Sequence, residues 1–233
     1  SRTKKICTFK ILIITLHHKV LFMEKNYSSA EDLKTIRKIM EDSTKFLSLS
    51  GFSGLFPGLY ALAGACIAHF MVLGASETSF SGYLNSGPSQ QNSEISLKLG
   101  ILALSVLILS IITAFGFSLQ KAKRSGQSIW TPVSKRLLNS LFIPLITGGV
   151  FALVLLAQGL IQLVIPVFLI FYGLALINAG KFTFGEIFYL GVLEIITGLL
   201  AALFPAQGLM FWTIGFGVLH IAYGLFLYRK YEV

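Results

Sequence analysis

Two ionisable residues, Glu194 and His220, fall in the middle of long apolar runs. Glu194 is the eleventh residue of the run 184–204 and His220 the twelfth of the run 209–228. A charge at that depth in hydrocarbon costs about 3 kcal/mol or more unless it is paired or solvated, so such residues are functional candidates by default. A carboxyl beside an imidazole is a protonatable pair, suited to proton coupling or to sensing pH. Their flanks sharpen the placement. Gly191, Glu194 and Gly198 follow one another at spacings of three and four, as do Gly217, His220 and Gly224, so each trio shares one helix face. Small residues mark faces where membrane helices approach closely. The spacing therefore predicts that both side chains point into packed protein and meet directly or through water. Two readings stand: a protonatable pair for proton coupling or pH sensing, and a buried polar clasp that fixes helix register.

Other chemistry has little to stand on. The chain contains no Gly-rich phosphate loop ending in Lys-Ser/Thr, no HExxH helix and no Gly-x-Ser-x-Gly elbow. Cys7 and Cys66 are the only cysteines, and Cys66 lies in an apolar run, which reads as a buried, inert thiol and not as a disulfide or zinc ligand. The expectation is a non-enzyme with no catalytic residue, no cofactor and no metal. Glu186, near the end of a run, reads as snorkelling to the interface or to Lys181. His69 reads as interfacial, and Gln158, Gln162 and Gln207 as residues of outer turns.

The elements that must position Glu194 and His220 follow from composition. Of 233 residues, 55% are hydrophobic and 12% charged, against about 25% charged in soluble domains. A helix crossing a hydrocarbon layer of about 30 Å needs about 20 mainly apolar residues. Six runs qualify, at about 48–73, 98–119, 137–157, 160–179, 184–204 and 209–228. Lipid offers no hydrogen-bond partners to the backbone, and the ten-residue alternation of a barrel is missing, so the expected fold is all-α, a six-span membrane bundle. Gly54, Gly58, Ala61, Ala65 and Ala68 form a small-residue stripe on the first span, a packing face within or between chains.

Charge fixes the expected orientation. Counted from residue 23 on, thirteen basic residues fall before span one, between spans two and three, after span four and after span six, while the other side has only Lys98. The positive-inside rule puts both termini in the cytoplasm of a bacterial inner membrane. Trp130 and Tyr228 fit the inner aromatic belt and Trp212 the outer one. The formal charge of +9 does not indicate nucleic-acid binding: five basic residues crowd into 1–22, and the rest of the chain holds 14 basic against 10 acidic groups that flank apolar runs. Residues 1–22, with a short apolar centre broken by Lys10 and no small-x-small cleavage site, read as an upstream extension foreign to the native chain, with Met23 as the natural start. Residues 23–46 read as an amphipathic cytoplasmic lead-in helix opened by a Ser28–Glu31 capping box, with 47–233 as the membrane domain. The Ser- and Gly-rich stretch 74–96 reads as a flexible outer connector.

Spans three and four echo spans five and six. Ile146-Thr147-Gly148 recurs as Ile196-Thr197-Gly198, Ala157-Gln158-Gly159-Leu160 as Ala206-Gln207-Gly208-Leu209, and Tyr172-Gly173-Leu174 as Tyr223-Gly224-Leu225. Offsets of 50, 49 and 51 suggest a parallel two-helix repeat, in which Glu194 and His220 align at or near Pro144 and Leu169. The stretch LGVLEIITGLLAALFPAQGLMFWTIGFGVLHIAYGLFLYRKYE, with its Gly-rich helices around a short Pro-containing turn, resembles small bacterial six-span inner-membrane proteins and is distantly similar to the acid-resistance membrane-protein family. The resemblance implies an inner-membrane location and supplies no catalytic residue. The expected function is that of an accessory or regulatory membrane protein working through helix packing, a protein partner or a second copy of itself. The alternative is a small proton-coupled transporter or channel using Glu194 and His220.

Overall fold

The computed structural model describes residues 50–74, 79–85, 90–126 and 130–231, all within a unit spanning Lys45–Val233. The proposed extension 1–22, the lead-in helix 23–46 and Cys7 lie outside the described residues. Every described element is helical, as a chain that must satisfy its own backbone in hydrocarbon requires. Helix α1 covers Phe52–Ile67 and continues as a π turn, Ala68–Leu73. Next come α2 (Phe80–Asn85), α3 (Gln90–Arg124) and α4 (Pro132–Ala157). Helix α5 (Val164–Gly180) is entered through a 3-10 turn, and α6 covers Glu186–Leu203. The last span is composite: a 3-10 turn at Pro205–Gln207, α7 (Gly208–Trp212), a π segment (Thr213–Leu219) and α8 (His220–Tyr231). Six of these helical stretches are long and apolar enough to cross a membrane, making this a multi-pass membrane protein.

Local sequence explains the boundaries. Thr131 caps α4 by accepting from the Ser134 amide at 3.1 Å, the Ser134 hydroxyl accepts from the Thr131 amide at 2.9 Å, and Pro132 takes the first helical position. At the far end of α4, Gly159 adopts φ +75°. This left-handed residue lets the Leu160 amide reach the Leu155 carbonyl (2.8 Å) and the Gly159 amide reach that of Leu156 (3.0 Å), a Schellman closure that turns the chain into α5.

Helices α5 and α6 form the most extensive pair, α4 packs on the outer side of α5, and α1 lies between α3 and the last span. The close approaches are made at glycines. A Cβ at Gly173 would stand 2.5 Å from the Gly191 carbonyl oxygen, and one at Gly224 would stand 2.5 Å from the Leu55 amide nitrogen. Gly58 meets the Gly217 carbonyl in the same way, at 2.9 Å. The small-residue stripe of α1 thus packs inside this chain against the last span. Helices α3 and α4 lie at the two edges, and both turn large apolar side chains such as Ile101, Ile112, Ile143 and Leu153 outward. Clustered ring and charge contacts (Lys121 over Phe184, Phe184 against Tyr231, Lys230 on Glu186) gather the ends of α3, α6 and α8 at one face of the bundle.

Two expectations are corrected. The stretch 74–96 is not an open connector throughout. Helix α2 folds back so that Tyr83 is buried with Val72, Leu73 and Ile95, and its hydroxyl bonds Ser96 at 2.7 Å. Phe80, Tyr83 and Leu84 recur at helical spacing and supply the apolar face that the polar composition concealed. Cys66 is not buried: it lies on the exposed side of α1, because the packed face is taken by Ala61, Ala65 and Ala68.

These contacts separate two kinds of glycine. Gly224→Ala should lower the thermal unfolding midpoint in detergent, costing about 1–3 kcal/mol as overpacking forces α1 and α8 apart. Gly149→Ala, where an added Cβ meets nothing within 4 Å, should leave the midpoint unchanged or raise it slightly. Equal midpoints for the two variants would contradict the packing.

Candidate functional site

Glu194 is placed by α6 and is fully buried, and His220, the first residue of α8, is 5% exposed. Oε1 of Glu194 stands 3.3 Å from Nδ1 of His220. The imidazole is held at both nitrogens. Nδ1 lies 3.1 Å from the carbonyl oxygen of Gly215, and Nε2 lies 2.7 Å from the hydroxyl of Tyr172 on α5. A carbonyl can only accept, so Nδ1 carries a hydrogen and donates it to Gly215. With that tautomer fixed, neutral His220 accepts from Tyr172 at Nε2. A doubly protonated ring would donate at both nitrogens and oblige the tyrosine hydrogen to turn elsewhere.

The carboxyl is less well served. Neither oxygen of Glu194 has an aligned hydrogen-bond partner, even though Oε1 is within ion-pairing distance of the imidazole. The Nδ1–H that could serve it is directed at Gly215. A buried carboxyl without an aligned donor is costly, and the imidazole of His220 is the polar group beside it. The carboxyl rests on Gly215, where a Cβ would come within 2.7 Å of Oε2 and 2.5 Å of the Leu169 side chain. Only a glycine leaves room for Glu194 at that point.

The local backbone explains the arrangement. The seven residues Thr213–Leu219 form a π segment directly before His220. The wider turn returns the imidazole toward the carbonyl of Gly215, five residues earlier, and such π segments occur frequently at functional sites. Phe216 packs against the Tyr172 ring at 5.2 Å and against Trp212 at 4.6 Å, closing the site on the α7 side.

The candidate packing glycines all sit at interhelical contacts. Gly191 abuts Gly173 and Ile177, Gly198 abuts Ile170 and Leu169, Gly217 abuts Leu62, and Gly54 and Gly58 of α1 meet Tyr223, Gly224 and Ile221. Glu186 bonds the Lys230 ammonium and the Tyr231 hydroxyl (3.1 Å), and not Lys181, because α8 ends beside the start of α6. His69 is exposed beside Phe70. Gln162 lines an open cleft of about 310 Å³ with Ser81, Leu84, Asn85, Pro205 and Ala206. Among the described residues no three His, Cys, Asp or Glu side chains come together as a metal cradle.

Tyr172 was not singled out by sequence reasoning, and neither was Tyr223, whose buried hydroxyl has no hydrogen-bond partner. A signal was available, since both are the tyrosine of the repeated Tyr-Gly-Leu triplet. No protein-family model, curated protein or solved structure matches the chain.

Tyr172→Phe should lower the unfolding midpoint, costing about 1–3 kcal/mol, because His220 loses the partner of a buried nitrogen. Tyr223→Phe removes a hydroxyl that bonds nothing and should be neutral or mildly stabilising. Thermal unfolding in detergent checks both, and the reverse order would contradict the assigned bonds.

Proposed function

We propose that this chain is a non-enzymatic accessory or regulatory protein of the bacterial inner membrane, acting through its helix surfaces on a protein partner or a second copy of itself. The observation that carries this reading is the closure of the bundle interior. Backbones meet at Gly58, Gly173, Gly191 and Gly224, and Glu194 has no exposed surface. A transport path needs a polar cavity that reaches both faces. A protein that works by association needs a firm core with faces left over, and the outward faces of α3 and α4 are of that kind. The thirteen-to-one bias of loop basic residues beyond residue 22 supports a cytoplasmic location for both termini. The two-helix repeat is supported by the three recurring motifs at offsets of 50, 49 and 51.

A second reading has one specific observation behind it. The buried carboxyl of Glu194, without an aligned donor and 3.3 Å from His220, is what a small proton-coupled transporter would use.

Reconstitution separates the two. Purified protein in liposomes loaded with a pH-sensitive dye should collapse an imposed proton gradient no faster than protein-free liposomes, and crosslinking in native membranes should give a discrete higher-mass species. Proton flux that scales with protein and disappears in Glu194→Gln would overturn the accessory reading in favour of transport.

A further inference from the structure

We infer that the end of the bundle where α3, α6 and α8 meet binds the headgroup of an anionic phospholipid, whose acyl chains lie along the outward side of α3. The inference goes beyond the accessory reading and does not rest on it, because a lipid is neither the protein partner nor the second copy invoked there.

The fold gathers charge from three separate segments. Phe184, buried in the turn before α6, is met by the Lys121 ammonium at 5.8 Å from its ring centre and by the Tyr231 ring at 4.4 Å. Those two contacts tie the last turns of α3 and α8 to the turn between α5 and α6. Six basic residues stand at this junction or within three residues of it: Lys121, Lys123, Arg124, Lys181, Arg229 and Lys230. All except Lys121 are exposed. A ring face attracts an ammonium but cancels none of its charge. Glu186 is the one carboxylate there among the described residues, and it is already bonded to Lys230 and to the Tyr231 hydroxyl. Counting Glu232, which lies outside the described residues, six bases face two acids.

The charge is local. The turns at the other end of the bundle, 158–163 and 204–208, carry no charged residue, and Glu94 and Lys98 near the start of α3 cancel. Basic groups clustered at the ends of membrane helices attract anionic headgroups, and the attraction extends about a Debye length into solvent.

A phosphate alone would satisfy the charge; the apolar side of α3 shows what is attached to it. Ile108, Ile112 and Phe115 are exposed and follow one another at helical spacing. Lys123 comes eleven residues after Ile112, three helical turns on, and so stands on the same side. The rise between them is about 16 Å at 1.5 Å per residue, close to half of a hydrocarbon layer of about 30 Å. A molecule with a negative head at Lys123 and an apolar tail reaching Ile112 fits that length, and a phospholipid of one leaflet is such a molecule. An acidic peptide would match the charge and leave the apolar side unused.

Native mass spectrometry of the purified chain in a neutral detergent tests this with two probes, phosphatidylglycerol and phosphatidylcholine of the same acyl length. Phosphatidylglycerol should be retained on at least about ten times as many chains as phosphatidylcholine. The triple variant Lys123→Gln, Arg124→Gln, Lys181→Gln should lose that preference. The contacts of Phe184, Tyr231 and Glu186 that hold the junction use none of these three side chains, so the variant should unfold at the wild-type midpoint. Lys98→Gln, near the other end of α3, should keep the preference. The wild type gives a second readout that needs no substitution: the preference should fall at least about threefold as ammonium acetate rises from about 0.05 M to about 0.5 M. The inference is overturned if both lipids are retained alike, if the triple variant keeps the preference, if Lys98→Gln loses as much, or if salt has no effect. Displacement of phosphatidylglycerol by an equal concentration of inorganic phosphate would assign the face to a free anion, and displacement by polyglutamate would assign it to an acidic peptide. Either result would also overturn it.

Discussion

Close contact between helix backbones is the constraint on which this structure depends. Lipid tails are as apolar as leucine, so burying leucine gives membrane helices little reason to associate. What remains is van der Waals contact, which falls steeply with distance, and hydrogen bonding in a medium without water. The chain meets that constraint with glycine. Gly173 and Gly191 let α5 and α6 touch carbonyl to Cα, and Gly51, Gly58, Gly217 and Gly224 do the same for α1 and the last span. Because these helices approach so closely, a carboxyl and an imidazole on adjoining elements are brought to 3.3 Å with no space between them for solvent.

The same closeness gives the polar cluster its character. In a looser bundle Glu194 would find water and resemble a surface acid. Here it rests on Gly215 and Leu169, beside a histidine already committed to a carbonyl and a tyrosine. A site so arranged has few stable hydrogen placements, and changing one requires changing its neighbours. In this way the cluster ties α5, α6 and α8 together.

Much of this was legible from residue order because hydrocarbon imposes a coarse rule. Apolar runs of sufficient length had to be helices, and the Gly-x-x-Glu-x-x-x-Gly and Gly-x-x-His-x-x-x-Gly spacings placed the ionisable residues on glycine faces. Finer features depend on packing between distant segments. The π segment at Thr213–Leu219 has no composition of its own, since its residues would suit an ordinary helix. Helix α2 was hidden among serines and glycines because three aromatic and aliphatic residues at helical spacing are a weak signal in six residues. Glu186 chose Lys230 over the nearer-in-sequence Lys181 because α8 returns to the start of α6, a fact of topology that spacing does not contain. Tyr172 looked like part of a repeat motif, and only the fold revealed its hydroxyl against His220.

The central claim, a closed glycine-packed core that excludes water from Glu194 and His220, is tested most directly by hydrogen–deuterium exchange of the protein in lipid nanodiscs. The account predicts that amides of 191–198 and 217–224 exchange slowest in the chain, far behind those of Ser125, Gly126 and Trp130 in the connector between α3 and α4. Rapid exchange around Glu194 and His220, comparable to that connector, would mean a wet interior and would contradict it.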